Sequence, residues 1–245
     1  MRLILLLLLC TAIPADAQAS GGRNTIPYRV VRDTTSGAKV PRLTAPRTRV
    51  ERAVNRQLDS ISASLRCLTR MDGFGRKTEH WSDVRTTYAA DDVLSVFIHF
   101  GGFCGGAHPI NGENVSATFD LRTGKPVAFR DLFADYERDA SAIVRAMFPA
   151  QTAAADQMTE AELQQLENDE ERFCVQFYAT EDLAREYFAY AFTHAGLVTE
   201  PSLGHAIRAC QEVAPVPYAR LAPFAAPGGI LARVAAARAS AAAAP

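Results

Sequence analysis

The clearest amphipathic pattern in the chain lies between Pro46 and Arg66, where Val50, Val54, Leu58, Ile61 and Leu65 recur at spacings of four and three. That spacing puts all five on one side of a helix, and Pro46 suits the first turn, where a missing N–H costs nothing. Period two takes over downstream. Val84, Thr86 and Tyr88 alternate, and Asp91-Asp92 marks a turn. Val93 to Phe100 (VLSVFIHF) is then a near-continuous apolar, β-branched and aromatic run, as expected of a central strand. Val115, Ala117, Phe119 and Leu121 alternate again, and Arg122-Thr123-Gly124-Lys125 supplies turn chemistry before Val127 and Phe129. Tyr28 to Val31 reads as a short first strand.

In the second half, Asp131 stands where it can cap a helix carrying Leu132, Phe133, Tyr136, Ala140, Ile143, Val144 and Met147. Thr159-Glu160-Ala161-Glu162 is a capping-box pattern opening a short helix to about Asn168. Phe173–Tyr178, Tyr187–Thr193 and His205–Cys210 read as strands, with a turn at His194-Ala195-Gly196-Leu197 and a last short helix after Val216-Pro217-Tyr218. The alanine-rich stretch after Ala232 has helix propensity but no apolar stripe, so residues 225–245 are expected to form a disordered tail. Strands clustered with helices at their margins, without strict βαβ alternation, predict an α+β fold: one compact unit in which an antiparallel sheet packs against helices. The expected organisation is a flexible leader at 18–27, a helix-and-strand subdomain at 28–90 and a core domain at 91–224.

The N-terminus changes the picture. Arg2 precedes an apolar run from Leu3 to Ile13, too short to span a bilayer, and Ala15-x-Ala17 is a small-x-small cleavage pattern. A signal peptide cut after Ala17 would deliver the mature chain to the periplasm or outside, with no further membrane span. Export leaves Cys67, Cys104, Cys174 and Cys210, an even count that implies disulfides in an oxidising compartment. The spacing favours Cys67 with Cys104 and Cys174 with Cys210, closing loops of 37 and 36 residues. Each would stabilise by about 4 kcal/mol in the chain-entropy picture. No pair shows C-x(2–4)-C spacing and no His-Glu-x-x-His occurs among the five histidines, so neither a metal nor another cofactor is expected.

The formal net charge of −1 favours neither nucleic acid nor an anionic membrane. Its distribution is uneven: 14 Lys+Arg against 6 Asp+Glu from Arg23 to Arg85, and 4 against 14 from Asp131 to Glu186. These stretches either form opposite poles or neutralise one another, and mutual neutralisation is the simpler expectation. The most distinctive local sequence is Gly101-Gly102-Phe103-Cys104-Gly105-Gly106-Ala107-His108-Pro109. It lacks the Gly-Lys-Ser/Thr of a phosphate loop and the Gly-x-Ser-x-Gly of a nucleophile elbow. It reads as a structural turn, or else as an exposed loop presenting His108. Gly105, Gly106, His108 and His205 are the candidate ligand-contacting residues; no residue is assigned a catalytic role.

Several pieces together resemble a known family. Cys104-Gly105-Gly106-Ala107-His108-Pro109, then Ala117-Thr118-Phe119-Asp120-Leu121-x-Thr123-Gly124-Lys125 and Leu132-Phe133, are similar to the signature of the Domain of Unknown Function 3298 family. Gly196-Leu197, Leu203-Gly204-His205, Cys210 and Val216-Pro217-Tyr218 resemble its C-terminal part. The resemblance implies an antiparallel sheet packed on helices. It also implies kinship with the extracellular, lysozyme-sensing part of the anti-sigma factor RsiV and with accessory domains of peptidoglycan deacetylases. The function it implies is a non-catalytic envelope module recognising peptidoglycan fragments or a basic, lysozyme-like protein. An envelope hydrolase using His108 with an acidic partner, and a structural envelope-assembly protein, are the competing expectations.

Overall fold

The computed structural model describes residues 25–32, 39–64, 79–103, 110–166, 169–179, 183, 188–201 and 214–243. Strands β1 (Tyr28–Arg32) and β2 (Lys39–Leu43) form an antiparallel ribbon that leads into helix α1 (Arg49–Ser64). The helix starts three residues after Pro46 because Thr48 and Glu51 close a reciprocal cap. Thr48 Oγ1 accepts from Glu51 N at 3.0 Å, and Glu51 Oε2 accepts from Thr48 N at 2.8 Å. Four antiparallel strands follow in sequence order within one sheet: β3 (Glu79–Ala90), β4 (Val93–Phe103), β5 (Ile110–Asp120) and β6 (Lys125–Pro126). Asp91 and Asp92 carry φ of 52° and 60°, the left-handed pair that lets a two-residue hairpin match strand twist. The division expected after residue 90 falls at this turn, between two strands paired in a single sheet.

The first half of strand β4 is largely apolar because it separates two interiors. Leu94, Val96 and Ile98 meet Val54 and Leu58 of α1, together with Val40, Leu43 and Phe119. Val93 and Tyr88 belong instead to a second core built from the other half of the chain. That half contains a 3-10 turn (Phe129–Leu132), then helices α2 (Tyr136–Met147), α3 (Pro149–Gln157), α4 (Glu160–Gln164) and α5 (Asp169–Ala179). A three-stranded antiparallel sheet of β7 (Phe188–Phe192), β8 (Leu197–Pro201) and β9 (Pro215–Val216) comes next. Helix α6 (Tyr218–Leu221), a 3-10 turn (Ala222–Phe224) and helix α7 (Ile230–Ala242) complete it. The α+β expectation of antiparallel sheet packed with helices holds.

Strand β7 is the outer strand of its sheet, and it lies against β4 and β5. Its outward amides are taken up by hydroxyls: Phe192 N donates to Ser95 Oγ at 3.0 Å and Tyr190 N to Ser116 Oγ at 2.8 Å. Ser95 Oγ also shares a hydrogen with Thr118 Oγ1 at 2.8 Å, with both residues fully buried. A dry strand edge thus gains acceptors without a backbone partner.

Several sequence expectations need correction. The cap of α2 is Asp135, whose Oδ1 accepts from Arg138 N at 3.2 Å, and not Asp131. Phe129 and Leu132 are buried in the intervening 3-10 turn, which delays the helix by one turn. Phe173–Tyr178 is helical, inside α5. Its β-prone residues pack at helical spacing, with Cys174, Val175, Phe177 and Tyr178 reaching the second core and the Tyr178 ring 5.3 Å from Phe148. Strand β8 was not anticipated. The expected disordered tail contains α7, held by the buried Ile230, Leu231 and Val234. That apolar stripe begins before Ala232, so a tail taken from Ala232 onward loses it. Cys174 of α5 is disulfide-bonded; Cys67, Cys104 and Cys210, and with them the expected pairings, lie outside the described residues.

Ion pairs form within each of the two charged stretches. Arg42–Asp59 and Arg85–Asp83 pair within the basic stretch, and Arg138–Asp139 and Arg145–Asp156 within the acidic one. Among the described residues no ion pair joins the two stretches.

Candidate functional site

The residues Gly105, Gly106, His108 and His205, singled out from sequence, lie outside the described residues, as do residues 1–24 with the expected signal peptide. The described residues offer a different site. A groove of about 490 Å³ opens where the sheet ends, between α1 and the segment that follows β6. Its floor is the margin of β5 from Ser116 to Phe119. Gln57, Ser60 and Ile61 of α1 form one wall, and Tyr190 of β7 contributes to the other. Val127 to Phe129 and Asp131 close one end.

Local sequence chemistry explains this shape. The Asp-Leu-Arg-Thr-Gly-Lys turn folds on Asp120, whose carbonyl accepts from Thr123 N at 3.1 Å and Gly124 N at 2.7 Å. Gly124 has φ of 73°, and a Cβ there would come 3.0 Å from Val50 Cγ1, so the residue type is dictated twice. Its carbonyl accepts from Gln57 Nε2 at 2.8 Å, which ties α1 to the turn and fixes the wall of the groove. From α7, Arg233 forms an ion pair with Asp120 at 3.0 Å. Tyr190 donates its hydroxyl to Val127 O, anchoring the far wall. The groove is therefore a rigid slot, with hydroxyl and amide groups at its rim and aromatic edges beneath. Nothing local in the sequence announces it: Gln57 and Ser60, Asp131, and Tyr190 come from three separate segments and share no motif.

A second cluster surrounds His194, which sits in the β7–β8 turn. Its ring lies 5.2 Å from that of Tyr88, whose hydroxyl donates to Asp91 Oδ2. Tyr218 donates its hydroxyl to Thr193 O at 2.6 Å and holds the turn from the other side. Burial raises the Tyr88 and Tyr218 hydroxyls well above the ordinary tyrosine range. Burial, then the positive charge of Arg238, lowers the His194 pKa, while Asp91 partly opposes both. The unfolded chain therefore takes up the His194 proton more readily than the native one. The stabilisation from neutral His194 is present above the ordinary value of 6.5 and is lost as pH falls through the depressed native value. The expected result is a fall in melting temperature as pH drops from 6.5 to that depressed value, shallower in His194→Gln, as parallel thermal scans from pH 7.5 to 5 would measure.

Among the described residues no group of three or more His, Cys, Asp or Glu converges as a metal site, and no helix is long and apolar enough to cross a membrane. No family model matches the chain, and no curated protein matches it. Solved structures similar to the chain include two proteins. One is a protein of Pseudomonas aeruginosa PAO1, 13% identical with a TM-score of 0.48, the alignment covering 84% of this chain and 96% of that one. The other is a protein of Bacteroides fragilis, 13% identical with a TM-score of 0.45, covering 75% of this chain and 68% of that one. Both of these structural neighbours are proteins of the Domain of Unknown Function 3298 family, the family that the sequence resembles.

Proposed function

We propose that this chain is a non-catalytic binding or sensing module of the bacterial cell envelope, exported by a signal peptide cut after Ala17. It recognises a peptidoglycan fragment or a basic, lysozyme-like protein. The observation that carries this reading is the groove beside β5. Its 490 Å³ suits a short stretch of ligand, and its rim offers the Gln57 amide, the Ser60 hydroxyl and the Asp131 carboxylate above apolar walls. The surplus of carboxylates between Asp131 and Glu186 supports a basic partner, since it would steer such a protein by long-range attraction. In this reading the cysteines are oxidised as Cys67–Cys104 and Cys174–Cys210, which suits a scaffold working outside the cytoplasm.

Calorimetric titration of the mature chain at low salt, with lysozyme and with soluble muropeptides, tests the proposal. At least one is expected to bind saturably, and Ser60→Trp, which fills the groove from an exposed position of α1, is expected to abolish that binding. If neither binds, the reading is wrong. Peptide mapping under non-reducing conditions tests the compartment independently, because four free thiols in the exported protein would contradict it.

A further inference from the structure

We propose that the free margin of β5 accepts an extended polypeptide as an added strand, with a Lys or Arg side chain of that strand set against Asp131. The inference rests on the groove being the ligand site and specifies what fills it. Strand β6 is two residues long, and its register with β5 ends at Phe119 opposite Pro126. One more backbone bond follows, from Val127 N to Thr118 O at 2.9 Å, before the chain turns away into the 3-10 turn at Phe129. Among the described residues no strand pairs with that side of β5 from Ser116 back to Ile110.

Strand geometry states which groups are left over. Thr118 directs its carbonyl toward β6, so the period of two directs the backbone N–H and C=O of Ser116 and Asn114 the same way. On the other side, Leu121 N bonds to Asp92 O at 2.8 Å, which assigns the intervening residues to β4. The ladder therefore stops with its next rung facing the groove. The layers above and below do not stop there: α1 continues on one side with Ser60 and Ile61, and β7 on the other with Tyr190. A strand laid into this slot would send alternate side chains toward Ile61 and toward Tyr190, as any inner strand of a covered sheet does. Evenly spaced amide donors and acceptors match a polypeptide backbone and not a sugar ring.

Charge supplies the side-chain preference. Among the described groove residues Asp131 carries the only carboxylate, and there is no cation among them. It is exposed, and the hydrogen bond it accepts from Ala128 N is long, at 3.4 Å. Much of its acceptor capacity remains for a cationic group arriving at that end of the slot.

Randomised seven-residue peptides displayed against the full mature chain provide the test. The selected peptide is then resynthesised with N-methyl groups on either alternate set of amides, and each form is titrated by calorimetry. The expected binder alternates in polarity and contains Lys or Arg. N-methylation of one alternate set should cost about tenfold or more in affinity and the other set little, because only one set meets β5. Asp131→Asn should weaken binding about threefold, Ser60→Trp should abolish it, and the Ser116 amide should gain hydrogen-exchange protection on binding. Equal affinity of both N-methylated forms, or binding indifferent to Ser60→Trp, overturns strand addition. Failure to select any peptide overturns it as well; if lysozyme or muropeptides still bind in the calorimetric titration, the binding-module reading survives that failure.

Discussion

Gly196→Ala is expected to lower the melting temperature by about 6–12 °C, corresponding to about 3 kcal/mol in a domain of this size. The added Cβ would stand 2.2 Å from Val216 O and 2.7 Å from Val216 C, with Pro217 N at 3.2 Å. All three are backbone atoms, so no side chain can rotate away; β9 itself has to move. That displacement would loosen the Leu197–Val216 pairing and the Tyr218 bond to Thr193 that follows it. Gly228→Ala is the informative control. Its Cβ would meet nothing within 4 Å, and only its left-handed φ of 68° resists substitution, at a cost of about 1 kcal/mol. Thermal scans of the two variants separate a steric demand from a conformational one. Similar losses would show that the approach of β9 to the β7–β8 turn does not constrain the fold.

Ser95→Ala is expected to cost about 2–4 kcal/mol, large for the loss of one oxygen atom. The substitution removes the acceptor for Phe192 N and the partner of Thr118 Oγ1, both buried. Each orphaned group then bears its own desolvation penalty, and no space opens for water to replace the hydroxyl. Hydrogen exchange gives a readout specific to the mechanism: the Phe192 amide should lose protection by more than the global destabilisation explains. Ser116→Ala should do the same for Tyr190, less severely, since Ser116 is only half-buried. Retention of Phe192 protection in Ser95→Ala would show that the hydroxyl does not join the two sheets.

Most of the sheet and α1 were legible in the sequence because their periodicity is local. VLSVFIHF announces a central strand, and the Val50–Ile61 stripe announces an amphipathic helix; that the helix covers one face of the strand came only from the fold. The errors have equally local causes. In Phe173–Tyr178 the aromatic and β-branched residues favour a strand taken alone, and only their packing on Phe148 makes them helical. The stripe of α7 is three residues long and precedes the alanines that dominate the composition. The groove was not legible at all. Its shape depends on where β6 ends and on a bond from Gln57 to Gly124, 67 positions apart, and such distances leave no trace in a window of ten residues. Ser95 is an intermediate case, visible as a polar residue in an apolar run but with a partner 97 positions away.

That same serine answers a difficulty that a doubly covered strand creates. Ordinarily a slip of one position is forbidden because it would turn oily side chains to solvent. The first half of β4 lacks this safeguard, since Leu94 and Val96 on one side and Val93 on the other would all remain in oil after sliding, and only the exposed His99 beyond Ile98 retains it. Displacing Ser95 by one place would swing its hydroxyl toward α1, away from the waiting amide of Phe192. A single oxygen therefore serves as the alignment pin that hydrophobicity cannot provide for this end of the strand.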